Sequence, residues 1–331
     1  MLTHKPGLMD IYQARHLIKD TIYRTPLIES AWLSEFSSTK VYLKLENLQL
    51  TGSFKIRGAT NKILNLENEQ KARGVIAVSS GNHGRAVAYV AGRHAIPAVV
   101  CVSETVPQNK ISAIRDLGAE VVIAGATYDE ATEGAHRIQG ERGLTMIHPF
   151  DDLFVIAGQG TIGLELMDEQ PDLDSIIVPL SGGGLLGGIA TAVKAINPKI
   201  QTIGVSMEVG AAMVESLMAG QIVEVVEEPS LADALIGGLG EQNRYTFNLI
   251  RSIVDQTVLV SEEEIAAGMT FALENEHLVV EGGGAVGIAA LLAGKVKNLG
   301  EKTAVVISGG NVSMETLLDV AGREYPYQGK Y

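Results

Sequence analysis

Short β-branched runs alternate with helically spaced segments along almost the whole chain. Val41-Tyr42-Leu43-Lys44-Leu45-Glu46 reads as a strand, as do Val75-Ile76-Ala77-Val78, Ala98 to Val102 and Glu120-Val121-Val122-Ile123. Ile11, Ala14, Leu17 and Ile18 have helical spacing, and Thr25-Pro26 ends or redirects that segment. Further helices are predicted from about Lys55, from about Asn82 and after Pro107. The second half repeats the pattern, with strands at Ser175 to Leu180, Ile200 to Ser206, Thr257 to Val260 and Thr303 to Ser308. Ser261-Glu262-Glu263-Glu264 has the form of a capping box, the serine oxygen receiving a backbone N–H while Glu264 reaches back. A βαβ series of this kind implies an α/β fold, with parallel strands and helices on the faces.

The 331 residues exceed the usual single-domain size, so two domains sharing a cleft are expected. Residues 52–147 read as a small α/β domain inserted in a larger one made of residues 1–51 and 148–331. Hydrophobic residues at 46% supply a large core, and 37 glycines, about 11% of the chain against a usual ~7%, point to tight turns or close backbone approaches to a ligand. The net charge of −13 argues against nucleic acid or an anionic membrane as partner. Cys101, the only cysteine, lies in an apolar run and reads as core, which rules out an intrachain disulfide and a cysteine-based metal cluster. The start of the chain lacks an apolar signal region, and no stretch reaches the ~18 apolar residues of a membrane span, so a cytoplasmic protein is expected.

The candidate chemistry centres on Lys55, in Gln49-Leu50-Thr51-Gly52-Ser53-Phe54-Lys55-Ile56-Arg57-Gly58. A lysine becomes a nucleophile when burial or a neighbouring cation lowers its pKa. Here Phe54 and Ile56 flank it and Arg57 is close, although such a lysine also fits a side chain lying along a surface. Ser181-Gly182-Gly183-Gly184-Leu185-Leu186-Gly187-Gly188 follows an apolar strand and opens a helix, where backbone N–H groups and the helix dipole favour an anion. A plain tight turn is the alternative. A dinucleotide loop, and with it a nucleotide-binding oxidoreductase, is the rival of another class, but the G-x-G-x-x-G spacing and the later acid are not well met. Ser79-Ser80-Gly81-Asn82-His83-Gly84 is a second strand-to-helix loop of the same kind. His83 reads as structural, since no second acid or nucleophile is paired with it in sequence. Ser308-Gly309-Gly310-Asn311 ends the last strand, where open α/β sheets place ligand contacts.

Thr51-Gly52-Ser53-Phe54-Lys55-Ile56-Arg57-Gly58-Ala59 closely resembles the Schiff-base lysine motif of the fold type II pyridoxal-phosphate enzymes, in particular the threonine dehydratase and serine racemase family. The likeness continues in that family's order through Ser80-Gly81-Asn82-His83-Gly84, Ala157-Gly158-Gln159-Gly160-Thr161, Ser181-Gly182-Gly183-Gly184-Leu185 and Ser308-Gly309-Gly310-Asn311, from about residue 10 to about residue 320. The resemblance implies a tryptophan synthase β-like fold of two parallel-sheet α/β domains, with pyridoxal 5'-phosphate in the interdomain cleft. It implies that Lys55 carries the cofactor and that Gly182, Gly183, Gly184 and Leu185 hold its phosphate. Phe54 would stack on the ring, Asn82 bond the ring hydroxyl and Ser308 meet the pyridine nitrogen. Ser79, Ser80, Gly81, Asn82 and His83 would bind the substrate carboxylate, largely through backbone amides.

A serine at the ring nitrogen donates to a neutral pyridine and makes a weaker electron sink than an aspartate would, which favours elimination over transamination. The implied reaction is imine exchange from Lys55 to the substrate amine, removal of the α-proton by the freed Lys55 amine and loss of the β-hydroxyl, giving a 2-oxo acid and ammonia. L-Threonine or L-serine is the expected substrate. Ser80 to Ala88 and Leu231 to Phe247 look more like the dehydratase of hydroxyectoine utilisation, and Ser80 matches the proton-donating serine of serine racemases, so both remain alternatives. Glu208 matches a metal-ligating acid of serine racemases, but Val214 stands where they have a second, so no metal is expected. Glu281, in a third glycine loop near the cofactor in relatives, is read equally as structural or functional. The short tail after Gly322 reads as a loose terminus and leaves no room for a C-terminal regulatory module, which resembles the catabolic form. A homodimer or homotetramer is expected.

Overall fold

The computed structural model describes residues 6–240, 242–323 and 325, with Tyr128 and Asp129 described for their backbone only. The tail expected to be loose lies largely outside the described residues. Among the described residues ten strands form two sheets. The larger contains β1 (Leu27–Ser30), β2 (Lys40–Leu45), β7 (Ser175–Pro179), β8 (Gln201–Met207), β9 (Gln256–Val260) and β10 (Lys302–Ile307), in the order β1-β2-β10-β7-β8-β9. The smaller contains β3 (Val75–Val78), β4 (Ala98–Val102), β5 (Glu120–Ile123) and β6 (Thr145–Met146), in the order β5-β4-β3-β6.

Among the described residues every strand pairing is parallel except that of β1 with β2. β1, which the sequence pattern does not single out, forms this antiparallel edge. Only residues 31–39 separate β1 from β2, and a parallel crossover needs about a dozen or more residues. The helix in that link is α2 (Ala31–Ser37), and Ser30 caps it by accepting the Leu33 N–H.

Both sheets are covered on both faces, which is why their strands read as nearly continuous apolar runs rather than alternating ones. Along β10, Val305 and Ile307 enter one core while Ala304 and Val306 enter the opposite one. Along β3, Val75 and Ala77 divide from Ile76 and Val78 in the same way. The remaining helices are α1 (Leu8–Ile18), α3 (Lys55–Leu64), α4 (Asn68–Arg73), α5 (Asn82–Arg93), α6 (Gln108–Arg115), α7 (Tyr128–Arg142), α8 (Leu153–Glu169), α9 (Gly184–Ile196), α10 (Ala212–Ala219), α11 (Thr246–Ile253), α12 (Glu262–Glu274), α13 (Gly282–Leu292) and α14 (Met314–Ala321). Among the described residues no helix is long and apolar enough to cross a membrane. The capping box at Ser261 and Glu264 opens α12 as the sequence predicts.

The joint between the two sheets is where α3 crosses α8. A Cβ on Gly158 would lie 2.7 Å from the Arg57 carbonyl oxygen and from the Gly58 Cα, so the two backbones touch. Ala157-Gly158-Gln159-Gly160-Thr161 is therefore a helix-packing surface; Gln159 Oε1 also accepts the Gly58 N–H. Beside it, Arg57 is wholly buried and donates to Glu46 from Nε (2.8 Å) and Nη2 (2.8 Å), and to Glu165 from Nη1 (2.6 Å) and Nη2 (2.9 Å). Lys44, also buried, pairs with Glu165 at 2.7 Å and donates to the Thr25 carbonyl at 2.6 Å. Removing one member of such a network strands the other charges without water. Arg57→Met should cost about 3–5 kcal/mol of stability in urea unfolding, and a loss under about 1 kcal/mol would show that the carboxylates find other partners.

Candidate active site

Lys55 is the first residue of α3, and the chain before it is stitched to the end of β10. Phe54 N–H donates to the Ser308 carbonyl (3.0 Å), Ser53 pairs with Gly309 in an antiparallel bridge, and Gly310 N–H donates to the Gly52 carbonyl (2.9 Å). Gly52 has φ +74, the left-handed region where a side chain is strained. Lys55 Nζ donates to the Pro149 carbonyl at 2.9 Å and lies 5.2 Å from the centre of the Phe54 ring. Burial lowers its pKa to about 8, and the Glu281 carboxylate opposes the shift. Arg57, expected as a neighbouring cation, plays no part, because its guanidinium is spent on Glu46 and Glu165.

The loop after β7 is joined to this lysine through two consecutive residues, Pro149 and Phe150. Phe150 follows Pro149 and packs on the glycines: a Cβ on Gly182 would sit 2.3 Å from the phenyl ring, and one on Gly184 2.9 Å from the Phe150 carbonyl oxygen. Gly183 has φ +85. A side chain there would be strained and its Cβ would lie 2.9 Å from Ile250 and Met213, and the turn delivers the first turn of α9, whose N–H groups lack intrahelical partners. The Gly182, Gly183, Gly184 and Leu185 amides thus form a cradle suited to a phosphate dianion. With an aldehyde-reactive amine beside it, the donor set fits pyridoxal phosphate.

Ser79-Ser80-Gly81-Asn82-His83-Gly84 joins β3 to α5. Ser79 Oγ accepts the Gly81 N–H (3.2 Å), and a Cβ on Gly81 would meet nothing within 4 Å, so the loop borders open space. His83 Nε2 bonds the Ile147 carbonyl at 2.7 Å, and since a carbonyl only accepts, this nitrogen carries the proton. Burial, with the nearby Lys55 charge, pushes its pKa down to about 3. His83 is a neutral structural donor, and only its backbone is available to a ligand's carboxylate.

Asn82 opens α5. Its Nδ2 donates to Glu281 Oε1 at 2.6 Å, and its Oδ1 accepts from Asn311 Nδ2 at 2.6 Å. Glu281, buried at the start of α13, is raised to about 7 by burial and by the charge of Asp233, against the hydrogen bonds from Asn82 and Asn311. Ser308 is buried, its Oγ 3.3 Å from the Gly283 carbonyl. Phe54 is thus tied to Ser308, Lys55 to Pro149, Phe150 to Gly182 and Gly184, and Asn82 to Glu281 and Asn311.

Sequence reasoning missed Pro149 and Phe150, which link the lysine to the cradle. The available signal was their place just after β6, at the C-terminal side of a parallel sheet. Glu208 accepts from Lys295 Nζ at 3.0 Å, and that ammonium also donates to Glu264 (2.7 Å) and to the Leu259 carbonyl (3.1 Å). Among the described residues no group of three or more His, Cys, Asp or Glu is placed to hold a metal.

Three outcomes follow from this geometry. Borohydride reduction of the cofactor-loaded protein should leave a covalent adduct on Lys55 in peptide mass spectra, absent in Lys55→Ala, and a label on another lysine would overturn the assignment. Because the free amine is the nucleophile, capture of pyridoxal phosphate by unloaded protein should quicken as pH rises and level off above about 8. An ordinary lysine would go on gaining towards about 10.4. Turnover should also survive chelators, since Glu208 is held by an ammonium and Val214 offers no oxygen where hard cations want six or more; a Mg²⁺ or Ca²⁺ requirement would place the ligands elsewhere.

Comparison with known proteins agrees with this geometry. The family model described as pyridoxal-phosphate dependent enzyme matches residues 18–310. The L-threonine ammonia-lyase of Thermotoga maritima is 46% identical over 310 residues, 94% of this chain and 77% of its own. A catabolic L-threonine dehydratase of Staphylococcus aureus is 44% identical over 317 residues, 94% of this chain and 90% of its own. Maize serine racemase superposes with a TM-score of 0.91 at 34% identity, covering 96% of this chain and 97% of its own. With the lysine, the glycine cradle and the paired parallel sheets in place, the chain belongs to the pyridoxal-phosphate dependent enzymes, in the threonine dehydratase and serine racemase family.

Proposed function

We propose that the protein is a pyridoxal-phosphate dependent ammonia-lyase that dehydrates β-hydroxy amino acids such as L-threonine and L-serine to a 2-oxo acid and ammonia. The observation that carries this reading is a lysine amine with a pKa lowered to about 8, set beside a helix-terminal glycine cradle. Residues 52–147 act as a small domain against residues 1–51 and 148–331, with the cleft between them. The protein works in the cytoplasm as a homodimer or homotetramer.

Bound in the cleft, the cofactor supplies an electron sink for charge developing at the substrate's α-carbon. Gly182, Gly183, Gly184 and Leu185 would hold its phosphate, Phe54 would cover the ring, Asn82 would take the ring hydroxyl, and the Ser308 hydroxyl would turn from the Gly283 carbonyl to donate to the ring nitrogen. The backbone amides of Ser79 to His83 hold the substrate carboxylate, aided by the N-terminus of α5. Lys55 Nζ, kept readily neutral by burial, takes the α-proton. His83 and His148 are both discharged by burial, so neither competes for that proton at neutral pH. The eliminated product hydrolyses in water.

One observation favours a second reading, a dehydratase of hydroxyectoine utilisation. Part of the likeness to that enzyme lies in Leu231 to Phe247, and this segment borders the site: a Cβ on Gly282 would meet the Leu231 carbonyl oxygen at 2.1 Å, and Asp233 acts on Glu281. A panel of β-hydroxy amino acids, scored by 2-oxo acid and ammonia release, decides between the readings. Absence of both products from every member of the panel overturns them together.

Ser80 bears on stereochemistry. Racemisation needs a proton donor on the face of the α-carbon opposite Lys55, whereas elimination proceeds from the lysine face alone. A serine hydroxyl is a poor acid, so racemisation should be slow beside elimination. Ser80→Ala should abolish it while leaving L-substrate elimination within about tenfold, a barrier change of ~1.4 kcal/mol. Chiral chromatography of unreacted substrate reads the result, and an unmutated protein that forms no D-enantiomer reduces Ser80 to a turn residue.

A further inference from the structure

Glu281 carries a buried carboxylate for which the reaction as derived has no use. It is the N-cap residue of α13, yet its side chain makes no capping bond. Oε1 accepts from Asn82 Nδ2 at 2.6 Å and Oε2 from the Asn311 backbone N–H at 3.0 Å. Asn311 Nδ2 in turn donates to Asn82 Oδ1 (2.6 Å) and to the Thr51 carbonyl (2.9 Å). The ring closes on itself. Because the Thr51 carbonyl only accepts, Asn311 turns its NH₂ to Thr51 and Asn82, which leaves the Asn82 oxygen facing Asn311 and its NH₂ facing Glu281.

Two glycines make room for this arrangement. A Cβ on Gly309 would lie 2.4 Å from Glu281 Oε1, and one on Gly52 2.4 Å from Asn311 Oδ1. The backbone has thus given up side chains where the carboxylate and the amide sit. Asn82 belongs to the four-stranded half of the molecule, while Glu281 and Asn311 belong to the six-stranded half. Nearby, Lys110 on α6 and Asp233 make a second pair across the halves at 3.2 Å, but both are exposed and worth little.

We infer that Glu281 is a positioning residue: it fixes the orientation of the Asn82 amide and, through that amide and Asn311, latches the two halves of the molecule around the cofactor cleft. The latch rests on the cofactor reading only for what Asn82 presents to the ring, and not at all on the identity of the substrate.

The test exploits donor and acceptor matching. In Glu281→Gln an NH₂ group must face either Asn82 Nδ2 or the Asn311 N–H, so one donor is lost. In Asn82→Asp two carboxylates face each other. The double variant Asn82→Asp with Glu281→Gln restores every pair: the amide at 281 donates to the carboxylate at 82 and its oxygen accepts the Asn311 N–H, while the other oxygen at 82 accepts from Asn311 Nδ2.

Amide hydrogen exchange of the unloaded full chain should speed up about tenfold or more at residues 80–84 and 309–312 in each single variant, and return to within about threefold of the parent in the double. Exchange unchanged in Glu281→Gln, or a double variant no slower than the singles, overturns the latch. If a single variant fails to fold, recovery of folded double variant is the expected rescue, and failure of the double overturns the inference. Binding of pyridoxal phosphate, followed by its visible absorbance, separates the two claims. Affinity should fall about tenfold or more in Glu281→Gln. An unaltered affinity and spectrum alongside the expected exchange pattern would overturn the positioning role.

Discussion

A guanidinium sealed from water fixes where the chemistry can happen. Arg57 lies two residues after Lys55 on the same helix, and its hydrogen bonds to Glu46 and Glu165 pin the first turn of α3 to the chain after β2 and to α8. Charges buried this way tolerate little displacement, because a shift that loosens one bond leaves an ion without a partner in a medium that cannot solvate it. The lysine inherits that rigidity. Its helix also abuts α8 at Gly58 and Gly158 with no side chain between the backbones, so the amine is set by a contact that cannot slide.

Around that anchor, burial shifts three titratable groups towards their neutral forms. Burial drives Lys55 down to about 8, His83 down to about 3 and Glu281 up to about 7. Each shift favours the neutral form, and the fixed attraction for an anion then comes from backbone amides at the starts of α5 and α9. Such a site suits a dianionic cofactor and a carboxylate substrate. On the proposed reading their charges would be met by dipoles that need no reorganisation, and a lysine with an unprotonated fraction at physiological pH would be free to move a proton.

Glycine does different work at different places in this fold. At Gly183 it answers a backbone angle, at Gly158 a helix contact, and at Gly309 the volume claimed by a carboxylate. The excess of glycine over an ordinary chain is therefore structural and functional together. The single word "glycine-rich" hides three separate constraints.

The amino-acid sequence alone determined the local elements and the nature of the chemistry. β-Branched runs such as Val75 to Val78 and Ala98 to Val102 are strands because buried parallel strands are apolar on both faces, and Lys55 and the glycine loops announce themselves by composition and order. It did not reveal that β10 lies between β2 and β7, that β1 runs antiparallel, or that Arg57 turns away from Lys55. Pairing and side-chain direction depend on groups distant in the chain: Glu165 lies 108 residues from Arg57, and Glu281 lies 199 from Asn82. Glu281 looked equally structural or functional in sequence, because the meaning of a carboxylate lies in its partners. Only the tertiary structure brought Asn82 and Asn311 to it and closed off the water that would otherwise have satisfied it.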